Sequence, residues 1–124
     1  MVEKIKKIIA EIEAEKGSVN LFMLIKPTIE SDKWTLLISA GWLSSANNTR
    51  ENFDYVINKL KKYLIFDELN SIARINFLED RDPFVQTVNG FINTSKSDVR
   101  FDHNNLNGYQ INESIIFESK KVRT

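Results

Sequence analysis

Apolar and polar positions recur along the chain with two periods, and the switches between them mark out its elements. Val2, Ile5, Ile8, Ile9 and Ile12 fall on one helical stripe and predict a first helix to about Lys16, with Gly17 placed for a left-handed C-terminal cap. Residues 19–26 read as a strand apolar on both sides, with Val19, Leu21, Met23 and Ile25 opposed to Phe22 and Leu24. Pro27 ends that strand, and a polar loop returns the chain as a hairpin into residues 33–43, KWTLLISAGWL. Trp34, Leu36, Ile38, Ala40 and Trp42 share one side there, and Thr35, Leu37 and Leu43 the other. Such a stretch predicts an internal strand antiparallel to the one before it.

Asn48, followed three residues later by Glu51, resembles a capping box, and Phe53, Val56, Ile57, Leu60, Tyr63 and Leu64 then trace the stripe of a second helix. Residues 70–78 predict a third strand, with Ala73, Ile75 and Phe77 towards the core and Arg74 and Asn76 opposite. Asp82 before Pro83 opens a third helix, since the carboxylate caps free amides and proline fits the first turn. Phe84, Val85, Val88, Phe91 and Ile92 give that helix an apolar side, which Gly90 weakens towards its C-terminus. The last third predicts a hairpin turning at Asn107-Gly108. Tyr109, Ile111, Ile115 and Phe117 share one face of a long final strand; Gln110, Asn112, Ser114 and Glu118 make the other polar apart from Ile116, as at a sheet edge. The expected fold is α+β: a mixed or mainly antiparallel sheet of about five strands with three helices, in the order α-β-β-α-β-α-β-β, forming a single two-layer sandwich and one domain over residues 1–124.

Composition narrows the chemistry. The 124 residues suffice to bury about two-thirds of the unfolded surface without a stabilising metal or disulfide. No cysteine is present, which excludes disulfide scaffolds, thiolate zinc sites, iron–sulfur clusters and cysteine nucleophiles, and a single histidine cannot form a histidine-rich metal site. Seventeen basic and seventeen acidic side chains cancel, so neither nucleic acid nor an anionic membrane is the expected partner. The opening residues carry charges throughout and predict neither signal peptide nor membrane span, so the expected compartment is the cytoplasm. Abundant asparagine, lysine and isoleucine with little alanine suit an AT-rich bacterial genome.

Charge placement is unusual only in the first helix. Lys4, Lys6 and Lys7 come early and Glu11, Glu13 and Glu15 late, against the macrodipole, so packing rather than electrostatics is expected to hold it. Its charges are expected to form a solvated face with local pairs such as Glu3 with Lys7.

Four groups of residues are candidates for a site. Glu79, Asp80 and Asp82 form an acidic corner after a strand, suited to oxygen ligation of a divalent cation, although capping and helix-dipole roles account for the same residues. Asp102 with Glu118-Ser119-Lys120 resembles the D…ExK constellation of PD-(D/E)xK nucleases. The resemblance implies carboxylates holding a magnesium ion and a lysine that orients the water. Ser97, Asp102 and His103 contain the residue types of a Ser/His/Asp triad but lack the sharp nucleophile turn, and four scattered glycines make no phosphate loop. Trp34 and Trp42, near the two ends of KWTLLISAGWL, mark an interface if helices leave part of the sheet uncovered.

The expected function follows from these exclusions. It is a non-enzymatic bacterial protein–protein interaction domain of the immunity, antitoxin-like or accessory kind, binding a protein partner or itself and needing no cofactor. The alternatives are a metal-dependent nuclease-like enzyme built on Asp102, Glu118 and Lys120, and a small-ligand sensor whose pocket is lined by the tryptophans and Phe22.

Overall fold

Strand β1 (Val19–Lys26) lies at the centre of a five-stranded sheet, and its side chains explain why. Phe22 and Leu24 enter one apolar cluster, while Leu21, Met23 and Ile25 enter another on the opposite face. A strand apolar on both sides needs a neighbour on each edge and a layer over each face. β2 (Trp34–Ala40) and β7 (Glu113–Ser119) flank β1, both antiparallel to it. β3 (Ile72–Leu78) runs parallel to β2, and β4 (Val99–Phe101) antiparallel to β7, giving the order β3-β2-β1-β7-β4. β5 (Asn105–Leu106) and β6 (Tyr109–Gln110) form a separate two-stranded ribbon. The computed structural model describes residues 1–26, 33–43, 49–101, 105–106, 109–111 and 113–120. Pro27, Asn48, Asp102, His103, Asn107, Gly108 and Asn112, which carried sequence expectations, lie outside the described residues.

Helices cover both faces. α1 (Val2–Lys16) buries Ile5, Ile8, Ile9 and Ile12, and α2 (Thr49–Tyr63) buries Val56 and Leu60, all on the side of Phe22 and Leu24. α4 (Pro83–Phe91) sets Phe84, Val85 and Val88 against Leu21, Met23 and Ile116 on the other side. The α+β class, the mixed sheet and the broad element order are those expected. α4 adds a partial third layer to the two-layer sandwich, because β1 and β7 present apolar side chains on both faces. Phe22 and Phe117 meet edge to face with centroids 6.3 Å apart, a geometry that adds about 1 kcal/mol to their burial. Among the described residues no helix is long and apolar enough to cross a membrane.

Several local expectations are corrected. β2 stops at Ala40, which pairs with Val19 at the start of β1; beyond it the chain winds into a 3₁₀ turn at Gly41–Leu43 and Trp42 leaves the strand. Gly17 does follow α1, its N–H donating to Glu13 O, but its φ of 113° and ψ of −175° lie in a region open to glycine alone, outside the left-handed cap. A fourth helix, α3 (Phe66–Asn70), precedes β3; five residues are too few for a periodic signal, and Glu68 fixes its start by accepting from Ile65 N at 3.1 Å. The register of β3 shifts beside Trp34, so Ile72, Ile75 and Phe77 share the α1–α2 side while Ala73 is exposed. Asp82 caps α4 as expected, its Oδ1 accepting from Phe84 N at 2.9 Å, but Phe91 points out and is 55% exposed.

The final strand differs most. The expected long strand is divided into β6 and β7, and β7 is internal rather than an edge, since β1 and β4 pair with its two sides. A bulge sets Phe22 opposite Glu118 and Met23 opposite Ile116, leaving Phe117 as the extra residue. The bulge turns Glu118 away from the face it shares with Ser114 and Ile116 by simple alternation and towards α1.

Candidate functional site

The bulge in β7 creates the most buried charge among the described residues, and Glu118 is its centre. The side chain has no solvent exposure, and Oε1 accepts from Lys96 N at 3.0 Å and Ser95 Oγ at 3.2 Å. Its Oε2 forms an ion pair with Lys120 Nζ at 2.9 Å. Lys120 and Lys96 both reach on to Glu13 of α1, at 2.7 and 2.8 Å, and Glu13 also accepts from Val19 N at 2.9 Å. Burial pushes the Glu13 carboxyl up, but the hydrogen bonds from Lys120, Lys96 and Val19 outweigh it and hold it below the usual carboxylate range. Burial likewise lowers the Lys120 ammonium, and Glu13 and Glu118 more than restore it. Lys96 adopts a left-handed φ of 47°, a conformation this set of contacts holds in place.

This arrangement brings together Glu118 and Lys120 of the D…ExK set, while Asp102 lies outside the described residues. Oε1 takes both loop donors, while Oε2, buried and without a hydrogen bond of its own, lies against the Lys120 ammonium. Chemically the cluster is a clamp: it fastens α1 and the loop before β4 to the end of the central strands. On the opposite face Asn89 of α4 performs a similar task, donating to Asn20 O at 3.2 Å and Ser119 Oγ at 2.8 Å.

The remaining sequence candidates separate. Asp82 is occupied as the α4 cap, Glu79 pairs with Arg81 at 3.4 Å, and the Asp80 main-chain oxygen accepts from Gln86 Nε2 at 2.7 Å. Among the described residues no three acidic or histidine side chains gather as metal ligands do. Ser97 lies beside Thr94, their hydroxyls sharing a hydrogen bond, and its proposed partners Asp102 and His103 fall outside the described residues. Trp34 is only 8% exposed, packed in the core beneath Lys26 Nζ, which sits 4.5 Å from the ring centroid. Trp42 packs edge to face against Tyr55 at 6.1 Å, and its indole N–H is buried without a hydrogen-bond partner.

The late acids of α1 serve the fold as well. Lys59 Nζ lies 2.9 Å from both Glu11 and Glu15, and Lys62 lies 2.7 Å from Glu11. Tyr63 and Tyr55 hydroxyls donate to Glu11 and Glu15 respectively. These charges join α1 to α2, where a solvated face with local pairs was expected. Their ammonium and phenol donors, Lys62 foremost, hold the Glu11 carboxyl at about 2.

A different surface is left open. β3 is the end strand of the sheet, and beside it Phe53, Ile75 and Phe77 line a groove of about 580 Å³, rimmed by Arg50 and Asp54 of α2. Phe53 and Phe77 stack edge to face with centroids 6.4 Å apart, yet Phe53 remains 41% exposed. The sequence pattern sets Phe53 on the apolar stripe of α2 and Phe77 towards the core. Arg74 and Asn76 within β3 were the one signal that this strand is not covered on every side.

Compared with known protein families, curated protein sequences and solved structures, the chain matches none.

Proposed function

We propose that the protein is a non-enzymatic interaction domain that docks a protein along the free edge of β3. The groove of Phe53, Ile75 and Phe77 carries this reading: it sets partly exposed apolar side chains beside a strand edge that has no neighbour among the described residues. That combination suits strand addition, in which main-chain hydrogen bonds supply affinity and adjacent pockets supply specificity. The full burial of Glu118, with Lys120 shared between it and Glu13, favours this reading over the nuclease-like alternative, because a carboxylate that ligates magnesium must be reachable by the ion. Cytoplasmic partners of a bacterial immunity, antitoxin-like or accessory system fit a cysteine-free chain of balanced charge.

Affinity capture with the intact chain and with Phe53→Glu tests the reading. A protein retained by the wild type and released by the variant supports docking at the groove. Equal retention by both overturns it, as does retention of nothing by a chain that also fails to associate with itself. A groove of this volume also admits a small molecule, and a thermal shift with a small-molecule library that Phe53→Glu abolishes would move the reading to the sensor alternative.

A further inference from the structure

We infer that the occupant of the β3 edge is a second copy of this chain, paired antiparallel through β3 so that the two sheets join into one. This inference rests on the docking reading above and adds the identity of the partner.

Three observations converge on it. β3 ends the sheet, with no described strand beyond it. A twofold axis perpendicular to the sheet beside Asn76 pairs the strand with itself and keeps each face on its own side. Opposed residues then share a face, so Ile75 of one copy lies against Phe77 of the other, twice over. The same operation brings the two Phe53 side chains into the valley between the α2 helices, covering the apolar surface each copy exposes alone.

The rim charges select the partner. Arg50 and Asp54 stand one helical turn apart on α2, with Phe53 between them, and form a solvent-exposed ion pair at 3.9 Å that leaves each charge, 93% and 59% exposed, open to a second opposite charge. A twofold axis at the height of Phe53 carries Arg50 of one copy beside Asp54 of the other, and the reverse. One cation and one anion make a rim complementary to itself. A partner of single charge sign finds half of that rim repulsive.

Sedimentation velocity over a range of concentrations, with Arg50→Asp, Asp54→Arg and the double exchange, tests the inference. The wild type is expected to move from 14.4 kDa towards twice that mass as concentration rises. Each single reversal places like charges across the axis and should raise the dissociation constant about tenfold, while the double exchange restores it. Both side chains are exposed, so circular dichroism should be unchanged and loss of fold cannot mimic the result. A monomer at every concentration overturns the inference, as does a dimer indifferent to the single reversals. If Phe53→Glu still releases a different captured protein from that monomer, the docking reading stands without the second copy; if it does not, both fall.

Discussion

Glu118 shows how a single residue can resemble chemistry in the sequence and serve structure in the fold. Glu-x-Lys after an upstream aspartate, Asp102, resembles a nuclease constellation, since spacing alone cannot reveal a bulge. The extra residue Phe117 turns the carboxylate inwards, where Lys96 N, Ser95 and Lys120 hold it. Removing one partner of a buried pair leaves the others uncompensated, which is more costly than the pair is worth intact. Glu118→Ala is therefore expected to lower unfolding free energy by about 3 kcal/mol in urea denaturation with an unchanged slope. Retention of wild-type stability would mean that the cluster is not the clamp described. Asp82 illustrates the opposite case. Its cap on α4 was readable because the signal is local, a carboxylate before proline, and needs no knowledge of the sheet.

At the level of elements, helices and strands were legible wherever one period ran for several turns or residues. α1, α2 and β1 lie where their apolar stripes place them. α3 was not legible because a five-residue helix shows hardly more than one turn, and the edge assignment of the last strand failed because β4 returns to pair with it. Neither fact is encoded in local alternation. The acids of α1 were legible as charges but not as partners of α2, because pairing across helices depends on how they pack. This pairing has a pH signature. Glu11 sits at about 2 against an ordinary 4.5, so the folded chain binds its proton less tightly than the unfolded chain does. Its contribution is complete above 4.5 and fades as pH falls towards 2. Glu68, held down first by Lys4 and then by the Ile65 N–H, titrates in the same sense. Melting temperatures of wild type and Glu11→Gln should thus differ most near neutrality and converge in acid. A constant difference across that window would show that the carboxylate is not what joins the helices.

For the molecule as a whole, the sequence conveys the class of fold but not its outer boundary. Which strand is last in a sheet is decided by long-range pairing, and here the order β3-β2-β1-β7-β4 puts β3 at one end, a position that its alternation of Ala73, Ile75 and Phe77 with Arg74 and Asn76 does not reveal. The proposed docking surface was invisible for that reason: Phe53, Ile75 and Phe77 look like core residues until the strand order shows that β3 has no further neighbour among the described residues. The tryptophans are the more conspicuous aromatics in the sequence, yet Trp34 is buried and Trp42 packs on Tyr55. The central proposal is that a second copy of the chain pairs along the edge of β3. Amide hydrogen exchange, measured in dilute and in concentrated solution, tests it most directly. Protection of the β3 amides should rise with concentration while those of β4, at the opposite edge, stay unchanged. Exchange in β3 that ignores concentration, or protection gained at β4 instead, would contradict the account.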